Sequence, residues 1–73
     1  MRYDGWGNYD ANTIAENRSG FTYSNNAPLN GPLAHFAAGG YGLQLNSNYG
    51  VGGELYFRTR NGDAHSWNSW NRI

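Results

Sequence analysis

The 73-residue chain contains neither cysteine nor lysine. Without cysteine, no disulfide and no thiolate metal site can stabilise a chain that, at this size, buries only about 60% of the surface its unfolded form exposes. Oligomerisation is the remaining common source of stability for so small a domain. The sequence therefore favours a single domain over residues 1–73 that assembles with copies of itself.

Charge and long apolar runs are also scarce. Five arginines balance five carboxylates, so the formal net charge is zero. A nucleic-acid binder of this size normally carries a basic stripe, and a membrane-surface helix needs an amphipathic run, but the sequence shows neither pattern. No stretch is apolar enough for a membrane span or an export segment. We expect neither a nucleic-acid partner nor a membrane span.

Motifs typical of catalytic, metal-binding or phosphate-binding sites are lacking too. The five acids show no spacing that would pair two carboxylates for glycoside hydrolysis, and His35 and His65 lie thirty residues apart, outside any common metal-ligand pattern. No serine lies in a Gly-x-Ser-x-Gly elbow, and the Gly39-Gly40-Tyr41-Gly42 stretch lacks the lysine of a phosphate loop. We expect no enzyme activity, no cofactor and no bound metal.

Glycine, asparagine and aromatic residues dominate what is present. The chain has eleven glycines, eleven asparagines and twelve aromatic residues, of which six are tyrosine. This mixture disfavours helices and favours short strands joined by turns. It is also typical of adaptable binding surfaces, where tyrosine supplies contact area and asparagine supplies hydrogen bonds. The plainer alternative is that asparagine and glycine only mark turns.

Alternation of side chains predicts an all-β fold, a small antiparallel β-sheet or sandwich of four or five short strands. Residues 1–9 show no period and predict an irregular lead-in, and residues 10–16 predict one turn at most. In the strand at 41–45 we expect Tyr41, Leu43 and Leu45 to point inward and Gln44 to lie on the other face. The four predicted strand segments are residues 20–24, 33–38, 41–45 and 54–60. Residues 33–38 also suit a helix in composition, but the flanking proline and glycines leave room for only six residues, so a strand is expected.

The dipeptide Asn61-Gly62 predicts a two-residue type I′ hairpin turn after the last of these strands. The spacing of Trp67 and Trp70 predicts a bend that brings both indoles to one face, where they would be core, interface or binding residues. The two-residue loop would pair Arg60 with Asp63, Arg58 with His65, Tyr56 with Trp67 and Glu54 with Ser69.

The end of the chain resembles the C-terminal module of phage tail fibres and of R-type pyocin fibres. The resemblance lies in an aromatic strand that ends in arginine, a glycine-containing turn and a closing Trp67, Trp70, Arg72 and Ile73. It continues upstream, where the order of motifs resembles the Asn-Thr-Ile, Gly-Phe-Tyr, Pro, Gly-x-Leu and x-Gln-x order of that family. The matching segments are residues 10–14, 20–23, 28, 31–33 and 43–45.

This resemblance implies a homotrimeric receptor-binding tip of a virion tail fibre, extracellular when acting, in which residues 1–9 lead in from a shaft. It implies adsorption to a bacterial surface polysaccharide, above all lipopolysaccharide, without chemistry, and a tail-fibre assembly chaperone as a further candidate partner. Some such fibres hold metal on a threefold axis through histidine pairs, and the isolated His35 and His65 depart from that pattern. The alternatives are a structural C-terminal trimerisation cap and, more remotely, a glycan-degrading enzyme.

The candidate glycan-binding residues combine aromatic rings with polar side chains. Rings present apolar faces to the C–H faces of sugars, while amide and guanidinium groups reach hydroxyls and phosphates. Tyr49 is the best exposed of them, since it is expected at the tip of a glycine-rich loop over residues 46–53. The full set is Tyr49, Asn46, Asn48, Tyr56, Arg58 and Arg60.

Overall fold

The computed structural model describes residues 8–14 and 17–73, which form one β-sheet without any helix. The all-β prediction is confirmed, and the described residues make a single sheet and not a two-sheet sandwich. Its strands are β1 (Asn8–Asp10), β2 (Gly20–Asn25), β3 (Pro32–Ala38), β4 (Tyr41–Ser47), β5 (Leu55–Asn61), β6 (Ser66–Trp67) and β7 (Asn71–Arg72).

Strands β2 to β5 are an antiparallel meander of neighbours in sequence, and they extend each of the four predicted segments by no more than a few residues. The short strands lie at the edges. β1 pairs with β2 in parallel, while β6 and β7 both pair with β5. The predicted irregular lead-in over residues 1–9 differs from the structure at Asn8 and Tyr9, which belong to β1, and residues 1–7 lie outside the described part of the chain.

A turn follows β1, as the sequence predicted. The Asn12 amide donates to the Asp10 carboxylate oxygen at 2.8 Å, and the Thr13 amide donates to the Asp10 carbonyl at 3.0 Å. An aspartate that bonds the backbone two residues on is a common way to close a tight turn. The turn brings Ala11 and Ile14 onto the sheet, where both are buried.

The connection between β5 and β6 is not the predicted two-residue turn. Arg60 pairs with Trp67 and Asn61 with Ser66, so residues 62–65 make a four-residue loop and the predicted cross-strand pairs are wrong. The Asn61 side-chain oxygen accepts hydrogen bonds from the amides of Asp63 (2.9 Å) and Ala64 (3.3 Å). Because this side chain closes the turn, the positive φ falls at His65, where it is 54°, and not at Gly62.

The two faces of the meander differ in an unexpected way. Since paired residues share a face and neighbours alternate, one face carries His35, Gln44 and Arg58 in register, and all three are buried. We call this the closed face, and it also holds Leu33 and Asn46. The opposite, open face is mainly apolar but only half-buried, although the register also places Thr59 and Ser47 there. Its apolar members are Phe21, Ala34, Phe36, Leu43, Leu45, Leu55 and Phe57.

The expected facing of β4 is therefore wrong. Tyr41 is exposed and Leu43 and Leu45 are half-buried, whereas Gln44 is fully buried. The apolar cluster on the closed face is small: Ala11, Ile14 and Leu33 are buried, and Ala27 and Trp70 pack against them. Polar contacts consequently make up much of what lies between the sheet and the segments that cover it.

Candidate functional site

The Arg58 guanidinium is the centre of the closed face. Arg58 is 5% exposed, and its Nε donates to Gln44 Oε1 at 2.8 Å. Its Nη2 donates to the Ala11 carbonyl at 3.0 Å and to Asn12 Oδ1 at 2.9 Å. One side chain thereby joins β5 to β4 and to the turn after β1.

Gln44 extends this arrangement to β3. Its Nε2 donates to the Ala11 carbonyl at 2.8 Å and lies 3.0 Å from His35 Nδ1. The Ala11 carbonyl therefore accepts from both Gln44 and Arg58, which uses both of its lone pairs. We refer to Ala11, Asn12, His35, Gln44 and Arg58 as the Arg58 network.

Two indole rings complete the surroundings of the cation. The Arg58 guanidinium carbon lies 4.6 Å from the centre of the Trp67 ring and 4.5 Å from that of Trp70. Cation–π contacts of this kind contribute roughly 0.5–2 kcal/mol each, with the higher values where water is excluded. The predicted bend that brings both indoles together is confirmed, because residues 68–70 separate β6 from β7 without being part of a strand.

Burial changes the ionisation of Arg58 but does not neutralise it at ordinary pH. Removal of the guanidinium from water lowers the pKa of Arg58 to about 10, and the negative charge of Asp10 acts in the opposite direction. The side chain is therefore a cation at neutral pH. Its hydrogen bonds and ring contacts offset the cost of burying that charge.

Asn46 has a comparable structural role in holding the loop between β2 and β3. Its Oδ1 accepts from the Leu29 amide at 2.8 Å, and its Nδ2 donates to the carbonyls of Leu29 (3.3 Å) and Pro32 (3.2 Å). Asn46 is fully buried. The structure thus encloses Asn46 and Arg58, two of the six residues that the sequence suggested for glycan contact.

The loop between β4 and β5 carries the most exposed of the six. Tyr49 is 77% exposed. Below it, Asn48 Oδ1 accepts from the Glu54 amide at 2.8 Å and the Asn48 amide donates to the Glu54 carbonyl at 3.3 Å. The base of the loop is clamped by these two bonds, while Gly50, Gly52 and Gly53 leave open space around the tip.

Tyr56 and Arg60 are both half-buried and lie on β5, beyond the Tyr49 loop. Tyr56 lies between Asn46 and Arg72 in the strand register. Arg60 lies at the far end of β5, about 20 Å from Glu54 at the strand rise of ~3.3 Å per residue, and its Nη1 donates to the Gly40 carbonyl. The structure brings Tyr49 and Asn48 together and separates them from Arg60.

The described residues contain neither a cluster of metal ligands nor a membrane-spanning helix. Within residues 8–14 and 17–73, no three His, Cys, Asp or Glu side chains are grouped so that they could hold a metal ion. The part of the chain that the structure describes also has no helix long and apolar enough to cross a membrane. Asp63, expected beside Arg60, instead accepts a hydrogen bond from the Tyr41 hydroxyl at 2.7 Å.

Sequence reasoning missed the Arg58 network as a unit. A signal was present, since each of three neighbouring strands carries at least one bulky polar side chain, but strand register was needed to place His35, Gln44 and Arg58 in one row. The comparisons with known proteins found no family model, no curated protein and no solved structure that matches the chain.

Proposed function

We propose that this chain is the receptor-binding tip of a phage or phage-derived tail fibre and adsorbs to a bacterial surface polysaccharide without covalent chemistry. The observation that supports this most is the exposed Tyr49 ring on a loop with a clamped base. A pre-ordered loop loses less conformational entropy on binding than a free one. An exposed phenol ring offers the apolar face on which a sugar ring stacks.

The contact set for this function is narrower than the sequence suggested. It centres on Tyr49 and on Asn48 at the base of the same loop, with the half-buried Tyr56 as the next strand residue that carries a ring. Asn46 and Arg58 are left out because both are buried and their polar groups bond within the chain. Lipopolysaccharide is the preferred partner class, since its sugars offer rings for stacking and hydroxyls for hydrogen bonds.

The test is binding of the labelled chain to an array of bacterial surface polysaccharides that includes lipopolysaccharide cores and O-antigens. We expect binding to at least one of them, and a loss of affinity of about tenfold in Tyr49→Ala, which corresponds to ~1.4 kcal/mol. Tyr49→Phe keeps the ring and is the matched control, and it should bind nearly as well as the parent.

Unchanged binding in Tyr49→Ala would remove the loop from the proposed site. Absence of binding to every polysaccharide on the array would contradict the adsorption function itself. Both variants should unfold at the temperature of the parent chain, because Tyr49 contributes little to the buried core.

The open face favours a second function, that of a trimerisation cap. Its half-buried side chains line a groove of about 170 Å³, bounded among others by Phe21, Leu45 and Leu55. Apolar surface of this kind gains about 25 cal/mol per Å² when a second layer removes it from water. The face is built from apolar side chains, which suits another copy of the same surface better than a charged partner.

Sedimentation velocity at micromolar concentration tests the cap. We expect a trimer for the parent chain and for Tyr49→Ala, and dissociation for Leu45→Asp, which places a charge on the open face. A folded monomer of the parent chain under these conditions would contradict the assembly function but would leave the polysaccharide array result unaffected.

A further inference from the structure

The orientation of the buried Gln44 amide is determined by Arg58. An arginine Nε carries a hydrogen and can only donate, so the Gln44 atom 2.8 Å from it must be the oxygen. The two hydrogens of Gln44 Nε2 are then directed at the Ala11 carbonyl (2.8 Å) and at His35 Nδ1 (3.0 Å). Every hydrogen-bonding position of the Gln44 side-chain nitrogen is used.

This orientation determines the protonation state of His35. A nitrogen that accepts a hydrogen bond from an amide cannot itself carry a hydrogen, so Nδ1 is bare and the ring proton is on Nε2. The imidazole is therefore neutral in the folded chain. His35 is fully buried, so solvent water does not provide Nδ1 with an alternative partner without movement of the cover.

Rotation of the amide does not relieve the conflict that a second proton would create. With His35 protonated on Nδ1, the present orientation sets an N–H against the Gln44 NH₂ group. The flipped orientation sets the NH₂ group against Arg58 Nε–H and also turns an oxygen toward the Ala11 carbonyl. Gln44 has no position that satisfies both a cationic Arg58 and a cationic His35.

The positive charge of Arg58 acts in the same direction. On the described elements packed against it, β2 presents Gly20 opposite His35, β4 presents the neutral Gln44, and the Trp67 ring lies at 5.8 Å. Arg58 lies one strand beyond Gln44 and repels a second cation. The Asp10 carboxylate is engaged by the Asn12 amide and by Asn26 Nδ2, both at 2.8 Å.

We propose that the contact of His35 with Gln44 is an acid-sensitive latch, in which protonation of His35 Nδ1 releases the turn at Ala11 and the Trp67–Trp70 segment from the sheet. The turn is affected because Gln44 and Arg58 share the Ala11 carbonyl as an acceptor. The Trp67–Trp70 segment is affected because both of its indoles lie on Arg58. The latch is independent of the proposed glycan contact.

The sign of the pH effect follows from proton counting. Unfolded histidines bind a proton with a pKa of about 6.5, whereas the folded chain excludes the second proton from His35. The unfolded state therefore binds more protons below that pH, and stability falls as the solution becomes more acidic. The folding constant should drop about tenfold per pH unit well below pH 6.5, and about thirtyfold in total between pH 7.5 and pH 5.

The experiment measures urea unfolding of the parent chain, His35→Asn and His65→Asn from pH 7.5 to pH 5. Asparagine at position 35 offers an oxygen near the place of Nδ1 but does not titrate, so we expect His35→Asn to lose the acid dependence. His65 is exposed, and its replacement is the matched control, which should retain the full dependence.

Nitrogen-detected NMR of the parent chain gives a readout that does not require a variant to fold. We expect the Nε2–H tautomer of His35 at pH 7.5, and the same neutral form at pH 5 in the molecules whose Ala11 turn stays packed on the sheet. A hydrogen on Nδ1 at pH 7.5, a His35 cation at pH 5 in molecules whose Ala11 turn and Trp67–Trp70 segment stay on the sheet, or an acid dependence that disappears in His65→Asn but not in His35→Asn would overturn the latch.

Discussion

The two faces of this sheet invert the usual relation between polarity and burial. The closed face buries a histidine, a glutamine, an asparagine and an arginine, while the open face leaves phenylalanine and leucine half-exposed. Alternation of side chains predicts which residues share a face, but the segments that pack over the sheet, its cover, decide which face is buried. Here the cover comes from the turn after β1, the loop before β3 and the last residues of the chain.

Buried polar groups are costly unless each is paired, and on the closed face they are. Arg58 reaches three acceptors and two rings, Gln44 uses its oxygen and both hydrogens, and Asn46 holds a loop through three bonds. A fully satisfied network fixes one arrangement more strictly than apolar packing does. The open face has the opposite character, since it is adaptable and gains stability from whatever covers it.

The largest effect should come from Arg58→Met. The substitution keeps much of the side-chain volume but leaves Gln44 Oε1 and Asn12 Oδ1 without their donor and removes one of the two donors to the Ala11 carbonyl. A buried acceptor without a partner costs about 1–3 kcal/mol, and each lost cation–π contact with Trp67 or Trp70 costs roughly 0.5–2 kcal/mol, so we expect a total loss of about 3 kcal/mol or more. Chemical denaturation at pH 7 measures this loss.

The matched control is Arg72→Met, also on the closed-face register. Arg72 makes a 3.7 Å ion pair with Glu54, and its side chain is 64% exposed, so its loss should cost no more than about 0.5 kcal/mol. Equal losses of unfolding free energy in the two variants would contradict a special stabilising role for the Arg58 network.

Two neighbours on β4 provide the sharpest contrast between the faces. Asn46→Ala leaves the Leu29 amide and the Leu29 and Pro32 carbonyls without their partner and should cost about 2 kcal/mol. Leu45→Thr, one residue away on the open face, should cost about 1 kcal/mol or less in the monomer, because the side chain is only half-buried. If hydrophobicity alone decided stability, Leu45→Thr would lower the unfolding midpoint more than Asn46→Ala. That result would contradict the conclusion that the polar closed face contributes more to stability than the apolar open face.

A smaller effect is expected where the loop between β5 and β6 approaches the turn between β3 and β4. A Cβ at Gly62 would lie 3.0 Å from the Gly40 carbonyl carbon and from the Tyr41 ring, so Gly62→Val should lower stability by about 1–2 kcal/mol. The cause is crowding and not a positive φ, which Gly62 does not have. Gly50→Val is the control, since a Cβ there meets nothing within 4 Å, and its melting temperature should stay within a few degrees of the parent value.

The smallest expected effect is a shift in one ionisation. The Tyr41 hydroxyl donates to Asp63, and this hydrogen bond to a carboxylate raises the pKa of Tyr41 above its ordinary value. The contact therefore contributes stability below pH 10 that disappears as pH rises through the raised pKa. Alkaline absorbance titration should show the Tyr41 phenol ionising at lower pH in Asp63→Asn than in the parent chain, and identical curves would contradict the assignment.

Strand positions were predictable from local chemistry. Three segments with a two-residue period, and a fourth at residues 33–38 that is too short for an isolated helix, correspond to β2 to β5. The turn at Asp10 and the convergence of Trp67 and Trp70 were also within reach of sequence reasoning. These features depend on residues close together in the chain, where spacing carries the information.

The glycan candidates show where that reasoning stops. Tyr49 is exposed as its glycine-rich surroundings indicated, but Arg58 and Asn46, equally polar in sequence, are enclosed. Their partners lie up to 47 positions away, as for the bond from Arg58 to the Ala11 carbonyl. No local pattern indicates such a partner.

The all-β class, the order of the long strands and the surface position of the Tyr49 loop follow from local sequence, because propensity, periodicity and turn residues act over a few neighbours. The choice of the interior face of the sheet and the length of the loop after β5 follow from contacts between distant parts of the chain. The first depends on covering segments from both ends of the described chain. The second depends on how β6 pairs with β5, since the Arg60–Trp67 and Asn61–Ser66 pairs leave four residues for the loop, whose amides then bond to the Asn61 side chain.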